Sequence, residues 1–401
     1  MIRALKGMKD TLSPDNKKFE YFIENTSRIV KKYGFEFIET PILEETALFK
    51  RSVGESSDIV GKEMYQFTDK GGNDVCLRPE GTAGIVRAFV EAKMDRQGGL
   101  HRYFYYGPMF RYERPQKGRF RQFHQFGCES FGESNPLEDA NIVIMIKEIL
   151  DFFSIHYTLE LNSLGCPTCL PPFREKLVSF LDTTKGFCDD CLRRKETNPI
   201  RVFDCKNSHC QTLLEPAPRL NTSLCKECQS DFNTLLQTLD NTGVSYTLNP
   251  NLVRGLDYYS KTAFEFVSTD LGAQNAVAGG GRYDKLVEFL EGRATPAIGF
   301  AIGVERLLEM IDVPQEESRE GYYFGALCEE AKDAIFMAAS KQRQSEKVIQ
   351  NYDVKSLKAH LKGADKTNAR YCAVIGEDEL KNDILWVKDL VEKTEEIRKL
   401  P

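Results

Sequence analysis

Between Cys166 and Cys228 the sequence places eight of its twelve cysteines, in four close pairs: Cys166/Cys169, Cys188/Cys191, Cys205/Cys210 and Cys225/Cys228. Three pairs are spaced C-x2-C and one C-x4-C, with 18, 13 and 14 residues between successive pairs. A C-x2-C turn brings two thiolates onto one tetrahedral ion, and two such pairs complete a structural zinc site. Four pairs therefore predict two Zn2+ ions, with His209 able to replace a neighbouring thiolate. Small buried hydrophobes would scatter rather than pair, and disulfides are the weaker alternative in a reducing compartment. The spacing leaves three ways of joining the pairs. No pair is left open, so the expected role is to staple an inserted module.

Elsewhere the chain is ordinary. Its 401 residues suggest two or three domains. A 41% hydrophobic and 28% charged composition excludes collagen-like, low-complexity and broadly disordered chains. No segment approaches the roughly 18–20 apolar residues of a membrane span, and MIRALKGMKDTLSPDN has no apolar signal core. The expected compartment is therefore the cytosol, with no membrane partner. The formal net charge of −6 excludes only a chain basic throughout, because local patches can still be positive.

Ser13-Pro14-Asp15 reads as a helix start, with Phe19, Phe22, Ile23, Ile29, Val30 and Tyr33 at helical spacing and Gly34 as the stop. GFEFIETPILEE is strand-like but interrupted by Pro41. YFYYGPMFRYE and RFRQFHQFGCESFG read as antiparallel neighbours joined by the turn Arg114-Pro115-Gln116-Lys117-Gly118. Residues 137–155 read as a buried helix, and residues 312–321 as a polar linker before a small α/β pattern. The expected domains are 1–162 and 249–318 for a divided catalytic domain, 163–248 for a mainly helical cysteine-rich insertion, and 319–401 for the C-terminal domain.

Residues 111–122 hold five basic residues and one acidic, a local charge of +4. Arginines on two adjacent strands would clamp a polyphosphate, the alternative being a solvated basic hairpin. A period of two puts Arg119, Arg121, Phe123, Gln125 and Glu129 on one face, a candidate pocket floor. In LRPEGTAG, Arg78, Glu80 and Thr82 surround a glycine turn; the carboxylate and hydroxyl suit an ammonium group, or simply cap a helix at Thr82. LVRGLDYYS sets Arg254 and Asp257 in an apolar strand, where a salt bridge is the plain alternative. AGGGRYDKL admits close backbone approach by a ligand, or a sharp turn. Arg306, in the first turn of the helix after AIGFAIG, opposes the helix dipole and points to a nearby anion.

These blocks, in this order, resemble the histidyl-tRNA synthetase family of class II aminoacyl-tRNA synthetases. GFEFIETPILEETALFK, FRYERPQKGRFRQFHQFGCESFG and AIGFAIGVERLL resemble the three class motifs, and LVRGLDYYS and AGGGRYDKL the two histidine signatures. The match spans nearly the whole chain, although the family's common pattern lacks the cysteine cluster. The resemblance implies an α+β catalytic domain with an antiparallel six-stranded sheet flanked by helices. It also implies a homodimer built partly on the first motif and a C-terminal α/β anticodon-binding domain. The implied reaction activates L-histidine with ATP and Mg2+, then transfers it to the 3′ end of tRNA(His), releasing AMP and pyrophosphate.

Carried over residue by residue, Arg111, Arg119 and Arg306 would contact ATP phosphates. Arg254 would lie at the α-phosphate, in place of a metal ion used by relatives. Arg254, Arg111 and Arg306 would thus carry catalysis, with Arg111 and Arg254 also reaching the bound histidine. Glu80, Thr82 and Gln125 would hold its α-amino group. Glu129, Tyr258 and Tyr259 would line the imidazole pocket, with Tyr283 nearby. Arg114, Gln116, Lys117 and Arg119 would meet the acceptor end of the tRNA. In residues 341–370, eight basic residues face three acidic ones. There Lys355, Lys358, Lys362 and Lys366 share one helix face, which would meet the anticodon unless it is merely solvated. The rival function, a synthetase-like regulatory subunit of ATP phosphoribosyltransferase, fits less well. Such relatives tend to lack the C-terminal domain and lose signature residues that this chain keeps.

Overall fold

The computed structural model describes residues 2–54, 57, 59–116, 118–271, 276–313 and 319–400. The chain divides into two compact units, Met1–Val313 and Pro314–Pro401.

The first unit is built on one sheet of eight strands: β1 Glu36–Phe37, β2 His101–Phe110, β3 Gln122–Phe131, β4 Thr158–Ser163, β5 Thr247–Leu248, β6 Ser260–Val267, β7 Ala276–Arg282 and β8 Ala297–Gly303. Their order is β1-β2-β3-β8-β7-β6-β4-β5. From β2 to β4 every neighbouring pair is antiparallel. The edges β1 and β5, two residues each, pair in parallel. The expected six-stranded antiparallel sheet is thus corrected to an eight-stranded mixed one. The short edges carry no alternating pattern long enough to read. The strand-like run through Pro41 does not continue β1 either. It supplies Leu43–Glu45 to a separate three-stranded sheet with Tyr65–Thr68 and Asp74–Leu77, since proline has no N–H to extend a ladder.

One face of the large sheet is covered by the helices Asp15–Lys32 and Pro136–Phe152, which bury Phe22, Ile29, Ile142 and Ile146 against Phe104, Phe126 and Phe300. Each such side chain contributes about 1.5–3 kcal/mol by leaving water. The second helix begins where Asn135 accepts the Leu137 N–H, with proline in the first turn. On the other face the helix Thr82–Glu91 packs Ile85, Val86 and Phe89 around Tyr105, Phe131 and Tyr283. That face carries the site.

Between β4 and β6 the chain is mainly helical, with Leu170–Thr183, Asp189–Thr197, Ser208–Leu214 and Lys226–Asn241. Phe173, Leu177, Val202 and Leu214 form a separate small core there with the cysteines. Residues 252–259, expected as a strand, form an irregular loop that enters β6 at Ser260. Its Arg254, Tyr258 and Tyr259 face a cavity rather than a neighbouring strand, while Asp257 accepts a hydrogen bond from Asn198 at 2.8 Å.

The second unit has a five-stranded sheet, ordered Val348–Asn351, Tyr322–Ala326, Tyr371–Ile375, Ile384–Asp389 and Glu395–Lys399. The first three run parallel and the last two antiparallel. The helix Leu357–Lys366 starts after Lys355, which instead pairs with Asp353 at 3.1 Å. Lys355 therefore does not share the helix face; Lys358, Lys362 and Lys366 are exposed on the helix. His360 on the same helix is fully buried against Tyr323 and the Ala326 carbonyl.

Candidate active site

A cavity of about 1020 Å³ opens over β3, β7 and β8 and is closed by the loop 252–256, the turn before Thr82 and part of the insertion. Glu80, Thr82, Arg111, Arg119, Gln125, Arg254, Tyr258, Tyr259 and Arg306 all line it. Glu129 and Tyr283 lie directly beneath, nearly solvent-free.

Each of the four arginines has a protein partner. Arg111 donates from Nε to the Pro79 carbonyl at 2.8 Å and lies 5.3 Å from the Phe123 ring centre. Arg254 pairs with Glu265 at 2.8 Å and lies 5.5 Å from the Tyr259 ring centre, while its buried Nε finds no acceptor among the described residues. Arg306 donates to the Ala276 carbonyl at 3.0 Å. Arg119 forms an ion pair with Glu113. Burial lowers the pKa of Arg111, Arg119 and Arg306, and the positive neighbours Arg111 and Arg306 add to this at Arg119. Like charges held together away from water favour an anion among them. Arg121 is the exception. Because β3 begins only at Gln122, the two-residue period does not extend back to it. It stacks 3.7 Å from the Tyr112 ring centre instead of facing the cavity.

The deeper end is a carboxylate enclosed by hydroxyls. Thr82 donates to Glu129 at 2.7 Å, Tyr105 at 3.3 Å, and Tyr283 through a short hydrogen bond. Burial pushes the Glu129 carboxyl up to about 8, against the pull of the Tyr283 and Thr82 hydrogen bonds. Glu80, rather than Thr82, caps the helix: its carboxylate accepts the Thr82 and Ala83 N–H groups at 2.7 and 3.0 Å. Gln125 accepts the Gly81 N–H at 3.1 Å. The Tyr258 and Tyr259 rings lie tilted at 44° with centres 4.7 Å apart, and Tyr258 lies 5.7 Å from Tyr283.

Two glycines make these approaches possible. A Cβ at Gly279 would lie 2.5 Å from an Arg254 nitrogen, and one at Gly299 would lie 1.7 Å from a Glu129 oxygen. The sequence reasoning missed Tyr105, Glu265 and Glu113. A signal existed for the two acids: Glu265 is the acid inside an apolar strand, and Glu113 the acid inside a basic run. Arg114 and Gln116 are exposed in the turn after β2. Lys117 lies outside the described residues. Lys355, Lys358 and Lys362 belong to the second unit.

The thiols form two groups. Cys166, Cys169, Cys225 and Cys228 have their sulfurs within 4.8 Å of one another, and so have Cys188, Cys191, Cys205 and Cys210. The first pair thus joins the fourth and the second joins the third, with His209 in neither group.

A mainly antiparallel sheet with half-buried arginines above an enclosed carboxylate is the arrangement of a class II aminoacyl-tRNA synthetase. A family profile described as histidyl-tRNA synthetase matches residues 7–171 and 192–307. The histidine–tRNA ligase of Sulfurimonas denitrificans is 62% identical over 396 residues, 98% of this chain and 98% of that protein. The histidine–tRNA ligase of Campylobacter jejuni strain RM1221 is 54% identical over 401 residues, 100% of this chain and 98% of that protein. The crystal structure of apo S. aureus histidyl-tRNA synthetase superposes with a TM-score of 0.83 at 34% identity, covering 100% of this chain and 98% of that one. This chain belongs to the histidyl-tRNA synthetase family.

Proposed function

We propose that the protein is a histidine–tRNA ligase, which activates L-histidine with ATP and transfers it to the 3′ end of tRNA(His). The observation that carries this reading is the pairing of the Arg254–Glu265 contact with the enclosed Glu129–Thr82–Tyr283 group in one site. ATP enters as its Mg2+ complex. The histidine carboxylate attacks the α-phosphorus and pyrophosphate leaves. Charge gathers on the phosphate oxygens in the transition state, so the fixed guanidinium groups of Arg254, Arg111 and Arg306 lower the barrier. In the second step a terminal hydroxyl of the tRNA attacks the adenylate carbonyl and AMP leaves. Neither step needs a nucleophilic side chain.

Specificity follows from Glu129. A carboxyl group and phenols around an imidazole meet both its donor and its acceptor nitrogen. A substrate without those groups leaves buried polar atoms unpaired, which rejects analogues strongly. Glu80, Thr82 and Gln125 hold the α-amino group, Tyr258, Tyr259 and Tyr283 wall the ring, and Arg119 assists at the phosphates. Arg114, Gln116, Lys117 and Arg119 meet the acceptor end, and Lys358 and Lys362 the anticodon region. The exposed Phe37, Ile42 and Leu43 support a homodimer formed partly on that segment. The eight clustered thiols act as structural zinc ligands, and the protein works in the cytosol. A non-catalytic regulatory role is the weaker reading, because the arginine set is complete. A Bacillus halodurans chain described as an ATP phosphoribosyltransferase regulatory subunit/histidyl-tRNA synthetase shares the fold (TM-score 0.66, 94% of this chain and 98% of that one) at only 21% identity. ATP–pyrophosphate exchange with each of the twenty amino acids tests the proposal. Exchange with histidine alone is expected; exchange with none, or with another amino acid, overturns it.

A further inference from the structure

The tertiary structure decides which cysteines meet, and each group has the dimensions of a single-ion site. A tetrahedral ion with Zn–S bonds of about 2.3 Å holds its sulfurs about 3.8 Å apart. The observed separations are 3.7 Å for Cys166–Cys169, 3.8 Å for Cys166–Cys225 and 3.7 Å for Cys188–Cys205. All twelve cysteines are free. Backbone N–H groups already point at the sulfurs: Cys225 to Cys169 at 3.1 Å, Cys188 to Cys210 at 3.3 Å and Thr168 to Cys166 at 3.4 Å. Such second contacts orient thiolates and spread their charge.

A separate observation comes from the helix starts. Cys169, Cys188 and Cys225 occupy the N-cap positions of Leu170–Thr183, Asp189–Thr197 and Lys226–Asn241, and none makes a side-chain capping bond. These positions normally carry Ser, Thr, Asp or Asn. A tetrathiolate ion bears a net charge of about −2 once its four thiols have lost their protons, and three helix N-termini directed at the two groups stabilise that charge.

The two groups sit in different places. Cys166 and Cys169 follow the insertion's neck, where Leu164 and Lys261 exchange backbone contacts with β6 and Gly165. The second group encloses a stretch of the cavity wall: Lys206 lies between Cys205 and Cys210, and Gln211 follows them, on a seven-residue helix. The Gln211 side chain donates to the Cys205 carbonyl at 3.1 Å, and Lys206 pairs with Asp204 at 3.4 Å.

We propose that the insertion binds two zinc ions, one per tetrathiolate group, and that the ion at Cys188, Cys191, Cys205 and Cys210 positions the wall residues Lys206 and Gln211 over the nucleotide. The proposal rests on the zinc reading above and adds the pairing and the purpose of the second ion. With that ion lost, the wall relaxes while the arginines stay in place. ATP binding then weakens about tenfold, the loss of one or two hydrogen bonds, with kcat for pyrophosphate exchange little changed.

Metal analysis of unstripped protein should give two zinc and no iron per chain. The Cys205→Ser/Cys210→Ser variant should retain one zinc and a folded circular-dichroism spectrum, and show the raised KM for ATP. As a second measurement that does not depend on the variant folding, wild-type protein is partly stripped with a chelator and then given Zn2+. Its KM should rise and then return. Less than half an equivalent of zinc in wild-type protein, or iron in its place, overturns the zinc reading itself. Two zinc ions in wild type, with an unchanged KM in the one-zinc variant and in stripped protein, overturn only the positioning role. Loss of both ions from the double variant overturns the independence of the two groups.

Discussion

Replacing Gly279 by alanine should disable histidine activation without unfolding the protein. Gly279 lies on β7 directly opposite Glu265 of β6, the partner of Arg254. A Cβ added there would fall 2.5 and 2.6 Å from the two terminal Arg254 nitrogens and 2.8 Å from the carbon between them. Ordinary contact needs about 3.4 Å or more, so the guanidinium must move by about 1 Å. The obstacle is the far end of a flexible side chain, not backbone, so the strand can remain. Alanine lowers the entropy of the unfolded chain, and the melting temperature should change by only a few degrees. For catalysis, a 1 Å displacement of a group meeting the α-phosphate costs on the order of 100-fold, about 2.7 kcal/mol in the barrier. The assay is histidine-dependent ATP–pyrophosphate exchange, with circular dichroism as the folding control. The loss should appear mainly in kcat if Arg254 acts, as proposed, on charge that develops in the transition state. A folded Gly279→Ala protein exchanging within threefold of wild type would refute the placement of Arg254 at the reacting phosphate.

Arg254→Ala itself should lower exchange by about 10²–10³-fold while the proposed dimer, followed by light scattering, is unaffected; near-normal exchange would remove the role assigned to it. Glu129 predicts a pH effect on stability. Its carboxyl is raised from 4.5 to about 8 in the fold, so between those values the native chain holds a proton that the unfolded chain has lost. Its contribution is therefore full below about pH 4.5 and fades as the pH rises through about 8. Glu129→Gln should remove that part of the decline in melting temperature across the window, and an unchanged slope would contradict the buried, protonated state. Lys358→Glu/Lys362→Glu should raise KM for tRNA and reduce the salt dependence of charging by about two in log–log slope, with pyrophosphate exchange untouched. Equal effects on both reactions would argue against an RNA contact.

Much of the frame was legible because it is written in local periodicity. The helix Asp15–Lys32, the paired strands β2 and β3, and the helix Pro136–Phe152 all follow from apolar spacing and cap residues a few positions apart. The edge β5 was not legible, and β1 was legible only as part of a longer strand-like run, because a period needs more than one repeat to register. The loop 252–259 imitates a strand in composition, yet Arg254, Tyr258 and Tyr259 turn to a cavity that the sequence pattern does not contain. Arg121 failed for a related reason: alternation was extended past the point where the ladder ends.

What the sequence determined by itself was the inventory: arginines in a basic hairpin, a carboxylate in an apolar strand, glycine runs, and four cysteine pairs in one segment. Each of these is a property of neighbours along the chain. Which groups meet was decided only by the tertiary structure. Glu129 meets Tyr283 across 154 residues, and Cys166 meets Cys225 across 59. Strand register and helix packing bring those partners together. They depend on burying one shared core, an energy summed over the whole unit rather than over any local stretch.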